Sequence, residues 1–140
     1  MGVHLACDVG RARIGLARCD RDGILVTPLD AIPADSIAVK RVAELAADME
    51  AIRIVVGYPI SLDGSVGPAA THVDAWISEL RAVTTIAVVR QDERLSTVQA
   101  QRRLHEVGRD TRQSRSAIDS ASATVILEAY LDRLKNEGMT

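Results

Sequence analysis

Residues 52–56, Ile-Arg-Ile-Val-Val, constrain the fold of this chain more than any other stretch. A short, nearly continuous apolar run rich in β-branched residues has the form of a central strand buried on both faces. Such a strand needs other strands beside it and helices over it, and the rest of the chain supplies both. Val3, Leu5 and Cys7 alternate with His4, Ala6 and Asp8, the period of a pleated strand. Gly10 opens a short connection to a second strand through Ile14, Leu16 and Arg18. Asp22-Gly23 predicts a hairpin turn into a third strand at residues 24–27. The simplest arrangement of these three is an antiparallel meander.

Helical periodicity then takes over. Asp35 or Ser36 can cap a helix that carries Ala38, Val42, Leu45 and Met49 on one face. After the central strand, residues 59–67 hold Pro, Ser, Asp and two Gly without periodicity and read as a loop. Pro68 suits the first turn of a helix with Ala69, Val73, Ile77 and Leu80 inward, and residues 85–89 form a fifth strand. Ser96 and Gln99 have capping-box spacing for a helix that Gly108 can close, and an Ala-rich helix starts at Ser116 and runs to about Lys135. Three strands followed by alternating helices and strands, with an additional helix at the end, make an α/β mixed sheet of five strands flanked by helices. At 140 residues, with no repeat and no long linker, a single domain over 1–140 is expected.

Composition excludes several classes. One Trp, two Tyr and no Phe leave the core to Ala, Val, Ile and Leu, and leave little for an aromatic platform on which bases stack. A net charge of -2 argues against a strongly basic nucleic-acid coat, though a local basic patch remains compatible with it. Cys7 and Cys19 lack metal-site spacing and read as free thiols of a reducing compartment. No apolar run reaches the roughly 18–20 residues that span a bilayer, and Met1–Asp8 does not read as a signal peptide, so a cytoplasmic protein without membrane contact is expected.

Three acids stand out by position. Asp8 lies late in the first strand, facing away from Leu5 and Cys7. Glu93 follows the fifth strand, and Asp119 sits early in the last helix among Ala117, Ile118 and Ala121. If the first and fifth strands lie close in the sheet, their C-terminal ends converge, and the last helix can bring Asp119 alongside. Clustered carboxylates repel, and a divalent cation removes that cost. Mg2+ or Mn2+ takes such hard oxygen ligands and can drive displacement at phosphorus without a Cys, Ser or His nucleophile. That suits a chain whose His4, His72 and His105 show no ligand spacing. Each acid also has an ordinary reading: Asp8 as a turn former, Glu93 as a solvated partner of Arg94, Asp119 as the acid of a Ser116 capping box.

Four segments resemble a known family. Asp8-Val9-Gly10-Arg11-Ala12-Arg13-Ile14-Gly15 is similar to the D-x-G-x-x-R-I-G opening of the YqgF/RuvX family. Val55-Val56-Gly57-Tyr58-Pro59 with Asp63-Gly64-Ser65 resembles its second motif, and Asp92-Glu93-Arg94-Leu95-Ser96-Thr97 its D-E-R-L-S-T motif. Ile118-Asp119, Ile126-Leu127 and Tyr130-Leu131 resemble its last helix. The resemblance spans about residues 3 to 134 with the motifs in order. It implies a ribonuclease-H-like fold and an acidic metal site of Asp8, Glu93 and Asp119. It further implies a nuclease that matures the 5′ end of pre-16S ribosomal RNA, or a protein like the Holliday-junction resolvases. Two departures stand out: Gln113-Ser114-Arg115-Ser116 is thinner in basic residues than the family usually is, and Ser120 and Ser122 replace bulkier or apolar residues.

The expected partner is nucleic acid. Arg102, Arg103, Arg109, Arg112 and Arg115 fall within fourteen residues holding only Glu106 and Asp110 as acids, a local excess of three positive charges. Arg11, Arg13 and Arg94 adjoin the acidic motifs, where guanidinium groups can grip phosphates. Arg13 can equally pair with a sheet-edge carboxylate, and the Arg102–Arg115 stretch can simply be solvated. A junction-cutting DNA enzyme, a catalytically silent RNA-binding factor and an actin-like nucleotide binder are the competing readings. Either a monomer or a homodimer is compatible; surface left around Tyr130 and Leu134 can support the latter, while a core role for these two is the favoured reading.

Overall fold

The apolar run at residues 52–56 lies at the start of a strand, Arg53–Tyr58, in which Ile54, Val55 and Val56 are completely buried. The computed structural model describes residues 2–59, 67–93 and 115–137, the side chains of 115–119 excepted. In chain order the described elements are β1 (His4–Val9), β2 (Arg13–Cys19), β3 (Val26–Pro33), α1 (Ala38–Asp48), β4 (Arg53–Tyr58), α2 (Pro68–Val83), β5 (Ala87–Asp92) and α3 (Arg115–Asn136). The helix expected at 96–108 lies outside the described residues. The strands form one sheet in the order β3-β2-β1-β4-β5. The first three pair antiparallel as a meander, and β1, β4 and β5 are parallel.

Two apolar layers sandwich this sheet. Leu5, Cys7, Ile14, Leu16, Ile54, Val56 and Val88 face α1 and α2, which supply Val42, Ala46, Val73, Ile77 and Leu80. Ala6, Ala17, Cys19 and Val55 face α3, whose Ala123, Ile126, Leu127, Tyr130, Leu131 and Leu134 close the other side. Tyr130 and Leu134 are therefore core residues, not leftover surface. Cys7 and Cys19 are buried free thiols on opposite faces of the sheet, so a bond between them is geometrically excluded. Among the described residues no helix is long and apolar enough to cross a membrane.

Several boundaries move from their sequence-based places. The Asp22-Gly23 turn forms, with Gly23 at φ 70° and the Asp20 carboxylate accepting from Ile24 N at 2.8 Å. Its strand begins only at Val26, leaving Ile24 and Leu25 exposed, and runs on through Pro28. A proline that cannot donate is tolerated there because β3 is an edge strand. Neither Asp35 nor Ser36 caps α1 directly: Ile37 holds that position, and Asp35 Oδ1 accepts from Ile37 N one residue outside it. On α2 the inward residue of the first turn is Ala70, whereas Ala69 is exposed. β5 extends past its apolar stretch through Arg90, Gln91 and Asp92, because β4 pairs with it as far as Tyr58–Asp92.

Ser120 has a structural role. The β2–β3 register shifts between Ile14 and Leu16, beside the Leu16–Leu29 pair. Ser120 Oγ accepts from Leu16 N at 3.1 Å and donates to Leu29 O at 2.5 Å, and the residue is fully buried. One hydroxyl of α3 thus satisfies a donor and an acceptor of two strands. Ser120→Ala strands both groups in the core and is expected to cost about 1–3 kcal/mol in urea denaturation, with the slope of the transition unchanged. A variant as stable as wild type would show that water replaces the hydroxyl.

Candidate active site

Because β1, β4 and β5 are parallel, their C-terminal ends share one edge of the sheet, the edge where open α/β sheets place ligands. Asp8 is the penultimate residue of β1, and Glu93 directly follows β5. Side chains alternate along a strand, so Asp8 points to the same face as Ala6, and Glu93 to that of Val89: the α3 face. The two strands are not neighbours, since β4 separates them.

A glycine clears the intervening strand: Gly57 follows Val56, the β4 partner of Cys7. A Cβ on Gly57 would lie 2.6 Å from Glu93 Oε1 and 2.5 Å from Ile126 Cδ1. The Glu93 carboxylate thus occupies the volume that a side chain at position 57 would need. Glu93 N donates to Tyr58 O at 3.1 Å, extending the β4–β5 ladder by one bond and fixing where its side chain starts. At Gly10 the close approach is to backbone: an added Cβ would lie 2.7 Å from Arg13 O, which accepts the Gly10 N–H across the β1–β2 turn.

The Asp8 and Glu93 carboxyl groups are hydrogen-bonded to each other, an arrangement in which one must carry a proton. Burial, then the Asp8 charge and that hydrogen bond, then the Asp92 charge push the Glu93 carboxyl up to about 7. Two carboxylates in contact cannot both ionise without an added positive charge. Among the described residues no group of three His, Cys, Asp or Glu is placed to hold a metal ion, so this acidic site is a pair there.

Asp119 is the fifth residue of α3, which begins one residue earlier than its Ser116 signal suggests, and its side chain lies outside the description. Ile126, which meets Gly57, follows it by seven residues, two helical turns along the same stripe. Arg13 is partly buried, opens β2 opposite Pro33 and is engaged in contacts of its own. Arg94, Arg102, Arg103, Arg109 and Arg112 lie outside the described residues, as does the side chain of Arg115.

A cleft of about 540 Å³ opens over the acidic pair. Its lining includes Asp8, Glu93, Gly57 and Pro59, Arg11 of the β1–β2 turn, and the N-terminal turns of α2, with His72 among them. Among the described residues, Arg11 lines the cleft and Arg13 does not. Periodicity and motif gave no signal for His72, or for the cluster that docks its helix. Tyr58 Oη donates to Asp74 Oδ2 at 2.8 Å, Arg90 pairs with Asp74 Oδ1 at 2.6 Å, and the Arg90 guanidinium lies 4.9 Å over the Tyr58 ring. These contacts tie α2 to the ends of β4 and β5, beside Glu93.

Fold and site together define a class: a ribonuclease-H-like α/β protein with an acidic pair at the C-terminal edge of its parallel strands. Its backbone is similar to that of Thermus thermophilus RuvC in complex with Holliday junction substrate, with a TM-score of 0.61 at 12% identity over 96% of this chain and 97% of that one. It is also similar to the fowlpox virus resolvase bound to Holliday junction DNA, with a TM-score of 0.59 at 10% identity over 94% and 98%. At such identities the likeness speaks for the fold alone. The family model described as "RuvX: Holliday junction resolvase" matches residues 2–133, and the chain belongs to that family. Relatives named "Putative pre-16S rRNA nuclease" share 42% identity in Streptomyces avermitilis, over 98% of this chain and 90% of the relative. In Kineococcus radiotolerans the figure is 44%, over 94% and 72%.

The acidic pair predicts a pH signature. The folded-state value of Glu93 lies above the 4.5 of a free glutamate, so between about 4.5 and 7 the folded chain holds a proton that the unfolded chain has released. Stability contributed by this group therefore falls as pH rises through that window. In metal-free buffer, Glu93→Gln is expected to gain on the order of 1–2 kcal/mol over wild type at pH 8 and little at pH 4.5. An equal offset at both pH values would contradict a shared proton. Gly57→Ala forces Glu93 or Ile126 aside and is expected to cost about 1–3 kcal/mol in the same denaturation assay.

Proposed function

We propose that this chain is a divalent-metal-dependent nuclease that processes pre-16S ribosomal RNA, acting in the cytoplasm. The observation that carries the reading is the contact between the Asp8 and Glu93 carboxyl groups. Oxygen donors held against one another and partly buried suit a hard cation, which fills the role that a shared proton otherwise plays. Asp8 and Glu93 would hold Mg2+ or Mn2+, with Asp119 as the third ligand from α3. The relatives' shared name supports pre-16S rRNA as the substrate.

When bound, the metal supplies an activated water and neutralises charge on the scissile phosphate. The protein's own residues do the placing. Gly57 leaves the carboxylates room to converge from non-adjacent strands. Arg11, exposed at the β1–β2 turn, can take a phosphate oxygen at the cleft mouth, and Arg13, Arg94, Arg102, Arg103, Arg109, Arg112 and Arg115 extend the positive surface along the backbone of the nucleic acid. The N-terminal turn of α2 presents the positive end of a helix to the cleft, with N-cap Gly67 making no side-chain cap. A second reading, cleavage of DNA junctions, is favoured by the description of the family and would require paired active sites in a dimer.

One assay separates the readings. A pre-16S-like RNA and a four-way DNA junction are offered to wild type, Asp8→Asn, Glu93→Gln and Asp119→Asn with Mn2+, Mg2+ or chelator. Metal-dependent RNA cleavage is expected, falling by roughly two orders of magnitude or more in each variant. Preferential cutting of the junction supports the second reading, and metal-independent binding without turnover supports a silent RNA-binding factor. Full activity in all three variants would remove the site.

A further inference from the structure

Besides the carboxylates, the described lining of the cleft contains two side chains that can bear a proton: Arg11 and His72. They differ in what they can do. Arginine does not release its proton in proteins, whereas histidine exchanges one near neutrality. The acidic pair serves the attacking side of a phosphodiester displacement, and the departing alkoxide is a poor leaving group until it is protonated.

His72 is exposed on the fifth residue of α2, and among the described residues it makes no hydrogen bond or ion pair. Its mounting is rigid. The next residue, Val73, is buried in the core, and Asp74 is held by Tyr58 and Arg90. A helix turn gripped on both counts holds residue 72 on a fixed wall of the cleft that Asp8 and Glu93 also line. Among the described lining residues, the charged groups that share this space are Asp8, Glu93 and Arg11. Charged residues of α1 that approach α2, Lys40 and Glu44, do so near Val83 and Ile86 at its far end.

We propose that His72 is a further catalytic residue, the general acid that protonates the leaving oxygen, an assignment that rests on the nuclease reading. In the step, the oxygen of water bonds to phosphorus and its proton passes to bulk. The bond from phosphorus to the 3′-oxygen breaks, and that oxygen takes the imidazolium proton. The imidazole is reprotonated from solvent before the next turnover.

The test compares two RNA substrates of one sequence, one normal and one with sulfur replacing the 3′-oxygen at the mapped cleavage site. A thiolate leaves without protonation. His72→Gln is expected to slow the normal substrate about 100-fold and the sulfur substrate by less than about 3-fold, and to lose the alkaline limb of the pH–rate profile. Asp8→Asn should slow both. Equal slowing of the two substrates by His72→Gln, or of neither, overturns the assignment and leaves the nuclease intact. A wild type that cuts no RNA, and is thereby indistinguishable from Asp8→Asn, removes the nuclease reading and this inference with it.

Discussion

Two carboxyl groups from strands that never touch meet above a residue with no side chain. That contact between Asp8 and Glu93 over Gly57 is the constraint on which the rest of the arrangement depends. It requires β1, β4 and β5 to be parallel, so that their ends finish together. It also requires β4 to be narrow at one point, Gly57, while Val55 and Val56 on either side of the sheet remain large enough to fill both cores. The proximity costs free energy through repulsion and burial, and the raised Glu93 carboxyl is its signature. Packing elsewhere supplies the stability that permits the cost.

α3 links that packing to the site. Its apolar stripe covers the sheet from Ile126 to Leu134, and Ile126 rests against the same Gly57 that Glu93 uses. Ser120, two turns before Leu127, bridges the register shift between β2 and β3. The helix is thus held at both a polar and an apolar point, and position 119 immediately precedes the polar one in the chain. On the opposite layer, the Tyr58–Asp74–Arg90 cluster docks the start of α2 against β4 and β5. The cleft opens at the sheet's edge, between the start of α2 and the ends of β1 and β4, with Glu93 in its lining.

Much of this was readable from residues, and the exceptions have physical reasons. The buried strand, the meander and the apolar faces of the helices follow from periods of 2 and 3.6, which burial enforces strongly. The extent of β3 past residue 27 escaped because Pro28 marks a strand as broken unless it is known to be an edge, and edges are a tertiary property. The tail of β5 escaped because Arg90 and Asp92 are polar, while their pairing is dictated by β4. Asp8 and Glu93 stood out by strand position and motif, on the condition that their strands lie close in the sheet; the route across Gly57 needs the sheet order. His72 carried no signal at all. Its place is set by where α2 starts and by a cluster assembled from three separate segments.

The central claim is that Asp8 and Glu93 form one ion-binding site in which a proton and a divalent cation compete. Titration calorimetry with Mn2+, run at pH 6 and pH 8 in two buffers of different ionisation enthalpy, counts the protons released. The account predicts binding with release of nearly one proton at pH 6 and almost none at pH 8, both effects lost in Glu93→Gln. Binding that releases no proton at pH 6, or that persists unchanged in Glu93→Gln, would contradict it.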